Sequence, residues 1–144
     1  MKLLIINGPN LNMLGMREPA LYGHSTYEDL KSFVTTTCEE LHIEFQMVQS
    51  NHEGVLVDTI QEAYGIYDGI IINPAAYTHT SIAILDALNA VGLPAVEVHL
   101  TNIYERESFR QLSYTGMACK HTIMGKGIEG YKEAILYLKE ELAK

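Results

Sequence analysis

The sequence predicts an α/β protein in which an open parallel sheet carries helices on both faces. Two observations support this doubly wound architecture. Short apolar runs bounded by turn residues alternate with segments of helical periodicity along the 144-residue chain. The run Gly69–Ile72 is almost continuously apolar, as expected of a strand covered on both faces. Right-handed helical crossovers between such strands then generate the doubly wound sheet.

Five apolar runs are the predicted strands. They are Leu3–Ile6, Phe45–Val48, Gly69–Ile72, Ala95–Leu100 and Thr122–Met124. A parallel sheet of five strands is flavodoxin-like in size, and ligands of such folds bind beyond the carboxyl ends of the strands. We expect one domain over residues 1–144, because this length is typical of a single domain and no repeat or linker divides the chain.

Four segments between the strands have helical periodicity. In the first, Ser25 and Glu28 have the spacing of a capping box, which predicts the start of a helix. Its apolar face contains Leu30, Phe33, Val34, Cys38 and Leu41. The other three predicted helices are Val55–Tyr64, Ser81–Val91 and Ile128–Leu142.

Composition argues against several function classes. The chain has 10 Lys and Arg against 18 Asp and Glu, and its net charge of −8 disfavours binding to nucleic acid. No apolar run approaches the roughly 18 residues of a membrane span, and the run after Met1 is typical of a buried strand rather than a signal peptide. Cys38 and Cys119 form no metal-binding or redox pair. We therefore expect a cytoplasmic protein with free thiols.

The chain's three arginines all follow predicted strand ends. Arg17 lies in the loop after the first strand, and Arg106 and Arg110 lie in the loop after the fourth. Guanidinium groups bind carboxylate and phosphate, so this placement predicts an anion site on an acidic protein. The alternative is that these arginines form surface ion pairs with Glu18, Glu105 and Glu107.

Glu97 and His99 are two residues apart on the fourth predicted strand, so their side chains share a face. A carboxylate beside an imidazole can hold its tautomer, which would make His99 a proton donor. The alternatives are a structural buried histidine and half of a metal site. We expect no metal site, because zinc typically needs three protein ligands and the sequence has no second close pair of ligands.

Residues 12–24 form a long loop marked by Gly and Pro, which is typical of an active-site lid. Tyr22 lies in this loop and is either a surface aromatic or a base. A tyrosine acts as a base only when ionised, and nearby guanidinium groups favour the phenolate. Asn10, Asn73 and His79 could hold a polyol or a carboxylate, although turn and cap chemistry would also explain asparagines at strand ends.

These residues together resemble the type II dehydroquinases, the 3-dehydroquinate dehydratases of the shikimate and quinate pathways. The resemblance spans nearly the whole chain. Its motifs are Asn7–Asn12, Arg17–Pro19 with Tyr22–Gly23, Asn73–Pro74 with Thr78–Ser81, Glu97–His99, and Arg106–Glu107 with Phe109–Arg110 and Ser113–Tyr114.

The resemblance implies syn elimination of water from 3-dehydroquinate through an enolate, without metal, cofactor or Schiff base. It assigns Tyr22 as the base, with Arg17 and Arg106 keeping the phenolate ionised. It assigns His99 as the acid that protonates the leaving hydroxyl, and Glu97 as the group that orients it. Asn10 would stabilise the enolate through a bound water.

The resemblance also implies how substrate is held and how the chain assembles. The matching substrate-binding positions are Asn73, His79, Leu100, Thr101 and Arg110. Asp86 matches a residue that reaches the site of a neighbouring subunit, which implies a trimer, and the family assembles four trimers into a homododecamer. This chain departs from the family pattern at Cys119–His121 and at Lys126, away from the matched site positions.

A second class of function remains open. A small-molecule binder that recognises hydroxy acids would need the same arginines and asparagines, but it would need neither an ionisable Tyr22 nor a poised His99. The resemblance does not distinguish biosynthetic from catabolic use of the same reaction.

Overall fold

One parallel sheet forms the centre of the molecule. The structure is a computed structural model that describes residues 1–16 and 18–144, with every side chain in these ranges except that of Tyr22. The sheet has five strands in the order β2-β1-β3-β4-β5. The strands are β1 (Lys2–Asn7), β2 (Glu44–Gln49), β3 (Gly69–Asn73), β4 (Ala95–His99) and β5 (His121–Met124). The predicted doubly wound, flavodoxin-like sheet is therefore confirmed.

Helices connect the strands and cover the sheet. They are α1 (Pro19–Tyr22), α2 (Tyr27–Glu40), α3 (Glu53–Glu62), α4 (Ile82–Val91) and α5 (Glu129–Leu142). The four longer helices match the predicted ones to within about two residues at each end. The short helix α1 lies in the predicted loop after β1. No helix in the described ranges has the length and apolarity needed to cross a bilayer.

Alternating strand residues fill two separate cores. Leu3 and Ile5 of β1 point to one face, where they pack with α2 and α5 through buried residues such as Tyr131. Leu4 and Ile6 point to the other face and pack with α3 and α4. Because both faces are covered, β1, β3 and β4 are buried along almost their whole length. This explains why their sequences are apolar runs rather than alternating patterns.

The first long helix begins one residue later than predicted. Its capping box is formed by Thr26 and Asp29: the Thr26 hydroxyl accepts from the Asp29 N–H at 3.1 Å, and the Asp29 carboxylate accepts from the Thr26 N–H at 2.9 Å. The prediction of Ser25 with Glu28 was wrong because the sequence offers this spacing in two overlapping registers. The Leu30 N–H bonds to the Thr26 carbonyl at 3.1 Å, which makes Thr26 the residue that opens the first turn.

The loops after β1 and β3 lie in direct backbone contact at one edge of the sheet. The Gly8 N–H donates to the Asn73 carbonyl at 2.8 Å. A Cβ atom on Gly8 would lie only 2.4 Å from the Pro74 carbonyl oxygen, so a side chain cannot be accommodated there. This contact is at the topological switch point of the sheet, where folds of this order open a crevice for ligands.

A buried polar network lies beneath that crevice. Asn7 and Asn73 are paired neighbours on β1 and β3. The Tyr131 hydroxyl of α5 donates to Asn7 Oδ1 at 2.6 Å and accepts from Asn73 Nδ2 at 3.1 Å. Burial raises the pKa of Tyr131 above its ordinary value, and the bond from Asn73 only partly offsets this. The network therefore ties two strand ends to the helix below them with neutral groups.

Candidate active site

A cleft of about 150 Å³ opens at the carboxyl ends of β1, β3 and β4. The cleft lies at the topological switch point between β1 and β3, where the loops that follow the strands diverge. The cleft is lined by Pro9, Asn10, Leu11, Asn73, Ala75, Ala76, His79, His99, Leu100, Thr101, Ile103, Arg106 and Arg110. Eight of the site residues predicted from the sequence are in this lining: Asn10, Asn73, His79, His99, Leu100, Thr101, Arg106 and Arg110.

Glu97 and His99 meet beneath the cleft as their spacing predicts. Nε2 of His99 lies 2.9 Å from Oε1 of Glu97, and the two side chains are almost completely buried. The contact is close but poorly aligned for a hydrogen bond, since Nε2 has no well-directed partner within the described part of the chain. Val96 and Val98, on the opposite face of β4, pack in the apolar core. The strand therefore presents one polar face to the site and one apolar face to α5.

The Glu97 carboxylate is surrounded by hydroxyl groups from the segment after β4 and from β5. Oε1 accepts from Ser113 Oγ at 2.8 Å and from Thr115 Oγ1 at 2.8 Å. Oε2 lies 3.0 Å from the Ser113 hydroxyl and 3.2 Å from that of Thr122. Burial by itself raises the pKa of Glu97, but the close contact and charge of His99, with the hydrogen bonds from Thr115 and Ser113, outweigh burial and hold the pKa below its ordinary value. Glu97 is therefore an anion at neutral pH.

Two arginines line the cleft and share one exposed carboxylate. Nε of Arg106 lies 3.5 Å from Glu107, and Nε of Arg110 lies 3.0 Å from the same side chain. The hydrogen bond from Arg110 holds the pKa of Glu107 below its ordinary value. Arg106 Nη1 also donates to Thr101 Oγ1 at 3.4 Å, at the cleft wall. The sequence left open whether these arginines form surface ion pairs or an anion site. Both arginines pair with Glu107, and both also line the cleft.

His79 enters the cleft with one ring nitrogen already engaged. Its Nδ1 lies 2.8 Å from the Leu112 carbonyl oxygen, which can only accept, so Nδ1 carries a proton. Burial lowers the pKa of His79, and the Leu112 hydrogen bond only partly offsets this. A neutral His79 then has Nε2 as a hydrogen-bond acceptor.

The two asparagines of the cleft are held in different ways. Asn10 has a left-handed backbone, with φ of 69°, and its N–H donates to Asn51 Oδ1 at 2.9 Å. Asn73 is nearly buried: Oδ1 accepts from the Ala75 N–H at 3.2 Å while Nδ2 bonds to Tyr131. An amide NH₂ has two protons, so Asn73 keeps one donor beyond its bond to Tyr131.

The remaining predicted site residues are Arg17, Tyr22 and Asp86. The predictions for Arg17 and for the Tyr22 side chain lie outside the described residues. Asp86 is exposed on α4 and is not among the residues that line the cleft. Within residues 1–16 and 18–144, no group of three His, Cys, Asp or Glu residues is arranged to hold a metal ion.

The sequence interpretation missed the hydroxyl partners of Glu97. Thr122 could have been found, because it pairs with Glu97 in the register of β4 and β5. Ser113 and Thr115 lie between β4 and β5, in a segment of loops and short 3₁₀ helices, one of which begins at Thr115, and no periodicity relates them to β4. Gly116 is also part of this cluster, since its N–H donates to Ser113 Oγ at 2.9 Å.

Comparison with known proteins gives one consistent result. The family model described as dehydroquinase class II matches residues 1–139. The chain is 50% identical to the 3-dehydroquinate dehydratase of Bacillus cytotoxicus over 98% of this chain and 97% of that protein. It is 49% identical to the enzyme of the same name from Clostridium acetobutylicum over the full length of both. The crystal structure of a type II dehydroquinase from Butyrivibrio crossotus superposes with a TM-score of 0.95 at 50% identity, covering 96% of this chain and 97% of that one.

Proposed function

Because this chain belongs to the class II dehydroquinase family, we propose that the cleft binds 3-dehydroquinate and eliminates water from it through an enolate, with Tyr22 as base and His99 as acid. The family's activity makes the chain a hydro-lyase of the shikimate pathway, a 3-dehydroquinate dehydratase. The product is 3-dehydroshikimate. The observation that carries the mechanism is the buried contact between His99 and Glu97 at the cleft.

The elimination proceeds in two steps. The Tyr22 phenolate removes a proton from the carbon beside the ketone, and the electron pair moves onto the ketone oxygen to give an enolate. When the ketone reforms, the bond to the hydroxyl on the next carbon breaks, and His99 gives that oxygen a proton so that water leaves. Arg17 and Arg106 favour the phenolate, and Asn10 stabilises the enolate through a bound water.

The Glu97 contact determines which proton His99 delivers. The negative charge of Glu97, 2.9 Å from Nε2, favours the tautomer with its proton on that ring nitrogen. Nδ1 is then the ring nitrogen left for the substrate, and the proton that it carries in the imidazolium is the one transferred.

The remaining cleft residues hold the substrate's polar groups. Arg110 and the Leu100–Thr101 backbone provide donors, and Asn73 has one N–H to spare. His79, neutral with Nδ1 bonded to Leu112, accepts from a substrate hydroxyl. The arginine, asparagine and histidine side chains of the cleft provide the donors and acceptors that a small polyhydroxylated carboxylate needs.

We also propose that the site is completed on assembly. Asp86 is exposed on α4 and absent from its own cleft lining, as expected of a residue that serves a neighbouring subunit. The assembly is a homododecamer of four trimers. Co-expression of Tyr22→Phe and Asp86→Ala chains tests this, because mixed trimers regain activity only if Asp86 acts between subunits. Light scattering gives the mass, and a monomer at working concentration would contradict the proposal.

Residues 12–24 form the lid in this proposal, within a single domain over residues 1–144. Leu21, next to Tyr22 on α1, lines a groove with Thr101 and Arg106 beside the cleft. The helix is bounded by left-handed φ angles at Glu18 and Gly23, where the chain turns into and out of it. This arrangement supports closure of the segment over bound substrate.

The experiment that tests the reaction class is turnover of 3-dehydroquinate by purified protein, followed by the ultraviolet absorbance of the conjugated product. We expect turnover to survive excess chelator and to survive borohydride treatment in the presence of substrate. Loss with chelator would indicate a metal, and loss after borohydride would indicate an imine. Tyr22→Phe separates enzyme from binder: we expect turnover to be lost while ligand binding is retained.

A further inference from the structure

Three hydroxyl groups surround the Glu97 carboxylate behind the proposed acid. We propose that Ser113, Thr115 and Thr122 are positioning residues, whose hydroxyls hold the Glu97 carboxylate ionised and fix the oxygen that contacts His99. This inference rests on the proposed function, in which His99 is the acid.

The direction of the hydrogen bonds supports the role. The Ser113 hydroxyl accepts from the Gly116 N–H at 2.9 Å, so its own proton is free to go to Glu97. The Thr115 hydroxyl lies 2.8 Å from Oε1 and that of Thr122 lies 3.2 Å from Oε2. In a protonated carboxyl group one oxygen carries a hydrogen and donates, so one of the hydroxyl groups that donates to it would lose its acceptor. The set therefore favours the anion over the neutral acid.

The geometry also fixes the carboxylate's orientation. The donors come from the segment between β4 and β5 and from β5 itself, so they approach the two oxygens from different elements of the fold. A Cβ atom on Gly116 would lie 2.5 Å from Oε2, which shows that the backbone closes the remaining side. Oε1, the oxygen 2.9 Å from His99, is thus held while the imidazole changes its protonation state. A carboxylate free to rotate would lose this contact.

A second buried threonine provides a contrast within the same molecule. Thr78 is as completely buried as Thr115, but its hydroxyl has no hydrogen-bond partner among the residues that the structure describes. The substitution Thr78→Val therefore removes a buried hydroxyl of the same size and exposure without touching Glu97. It is the matched control for Thr115→Val.

We expect Thr115→Val to lower kcat by about ten- to a hundredfold, the range for losing one hydrogen bond to a charged group, with KM changed less than threefold. Thr115→Ser should recover most of the activity, and Thr78→Val should retain wild-type kcat. Wild-type kcat in folded Thr115→Val would overturn the positioning role and leave the proposed function standing. Wild-type kcat in His99→Asn would instead overturn the proposed function.

The titration of Glu97 distinguishes positioning from a loss of packing. Other titratable groups near Glu97 are His99 on β4, His79 after β3 and the Cys119 thiol. Carboxyl carbon NMR of glutamate-labelled protein, assigned with Glu97→Gln, follows the carboxyl directly. Its midpoint should move upward by about one to two pH units in Thr115→Val and stay in place in Thr78→Val. An unmoved midpoint in Thr115→Val would contradict the inference.

Discussion

Nε2 of His99 lies 2.9 Å from Oε1 of Glu97, on one face of β4 and directly beneath the cleft. Glu97 is fully buried, and its charge is compensated by His99 and by surrounding hydroxyls. An interior carboxylate held in this way is costly to build, because a buried charge must be paired and hydrogen-bonded. Glu97 contacts the proposed acid, His99, so the energetic cost of burying this charge is explained by a role in the reaction.

Replacing Glu97 with glutamine tests the pairing. Glutamine has nearly the same shape but no charge, and its amide can present a donor to His99, so the acid should lose the carboxylate that faces its ring. We expect kcat to fall by about 10² to 10⁴-fold, the usual worth of a positioned acid, with a smaller change in KM. Steady-state kinetics measure this. Glu44→Gln, the same substitution at an exposed strand position, is the control and should be unaffected.

The same variant predicts a change in acid stability. The pKa of Glu97 is lower in the folded protein than its ordinary value of 4.5, so the unfolded chain binds the proton more tightly. The stabilisation from this carboxylate is therefore present above about pH 4.5 and is lost as pH falls through the folded pKa. Urea unfolding between pH 7 and pH 3 should show the gap between wild type and Glu97→Gln narrowing on acidification. A constant gap would contradict the sign of the pKa shift.

Gly116→Ala should damage the site through a single added methyl group. The new Cβ would lie 2.5 Å from Glu97 Oε2 and 2.9 Å from Ser113 Oγ, so one of these groups must move. We expect a loss of about 1–3 kcal/mol in unfolding free energy, together with reduced kcat. Gly54→Ala on α3 is the control: its Cβ meets nothing within 4 Å, and it should be neutral or slightly stabilising.

Tyr131→Phe tests the buried network under the cleft. Removing the hydroxyl leaves Asn7 Oδ1 without its donor and Asn73 Nδ2 without its acceptor. We expect a destabilisation of about 1–3 kcal/mol by denaturant unfolding, and a raised KM because Asn73 also lines the cleft. Tyr137→Phe, on the same helix with its ring stacked on His121, should change neither quantity. Equal stability of the two variants would show that the Tyr131 bonds contribute nothing.

The sequence was informative where side-chain direction follows from a regular period. Alternation along β4 predicted that Glu97 and His99 share a face, and the apolar runs predicted buried strands whose ends form the cleft. It was uninformative where tertiary contacts set the chain's path. Ser113 and Thr115 reach Glu97 from a segment of loops and short 3₁₀ helices between β4 and β5. The Tyr131 hydroxyl bonds to Asn7 and Asn73 although its ring belongs to the apolar face of α5.

The start of α2, with Thr26 as its capping residue, could not be predicted to the exact residue. Two hydroxyl residues are each followed by an acidic residue three positions later, and local pattern alone does not rank them. The choice depends on which carbonyl accepts the first helical hydrogen bond, and that bond goes from Leu30 to Thr26. The residue whose side chain the helix then buries, Leu30, was predicted correctly.

Deuterium exchange into 3-dehydroquinate tests most directly whether Tyr22 is the base and His99 the acid. In D₂O, proton NMR follows loss of the signal from the carbon beside the ketone and, separately, formation of product. His99→Asn should exchange this position while eliminating water at least a hundredfold more slowly than wild type, because the base still acts and the acid is missing. Tyr22→Phe should do neither. Elimination by His99→Asn at the wild-type rate, or exchange by Tyr22→Phe at the wild-type rate, would contradict the mechanism.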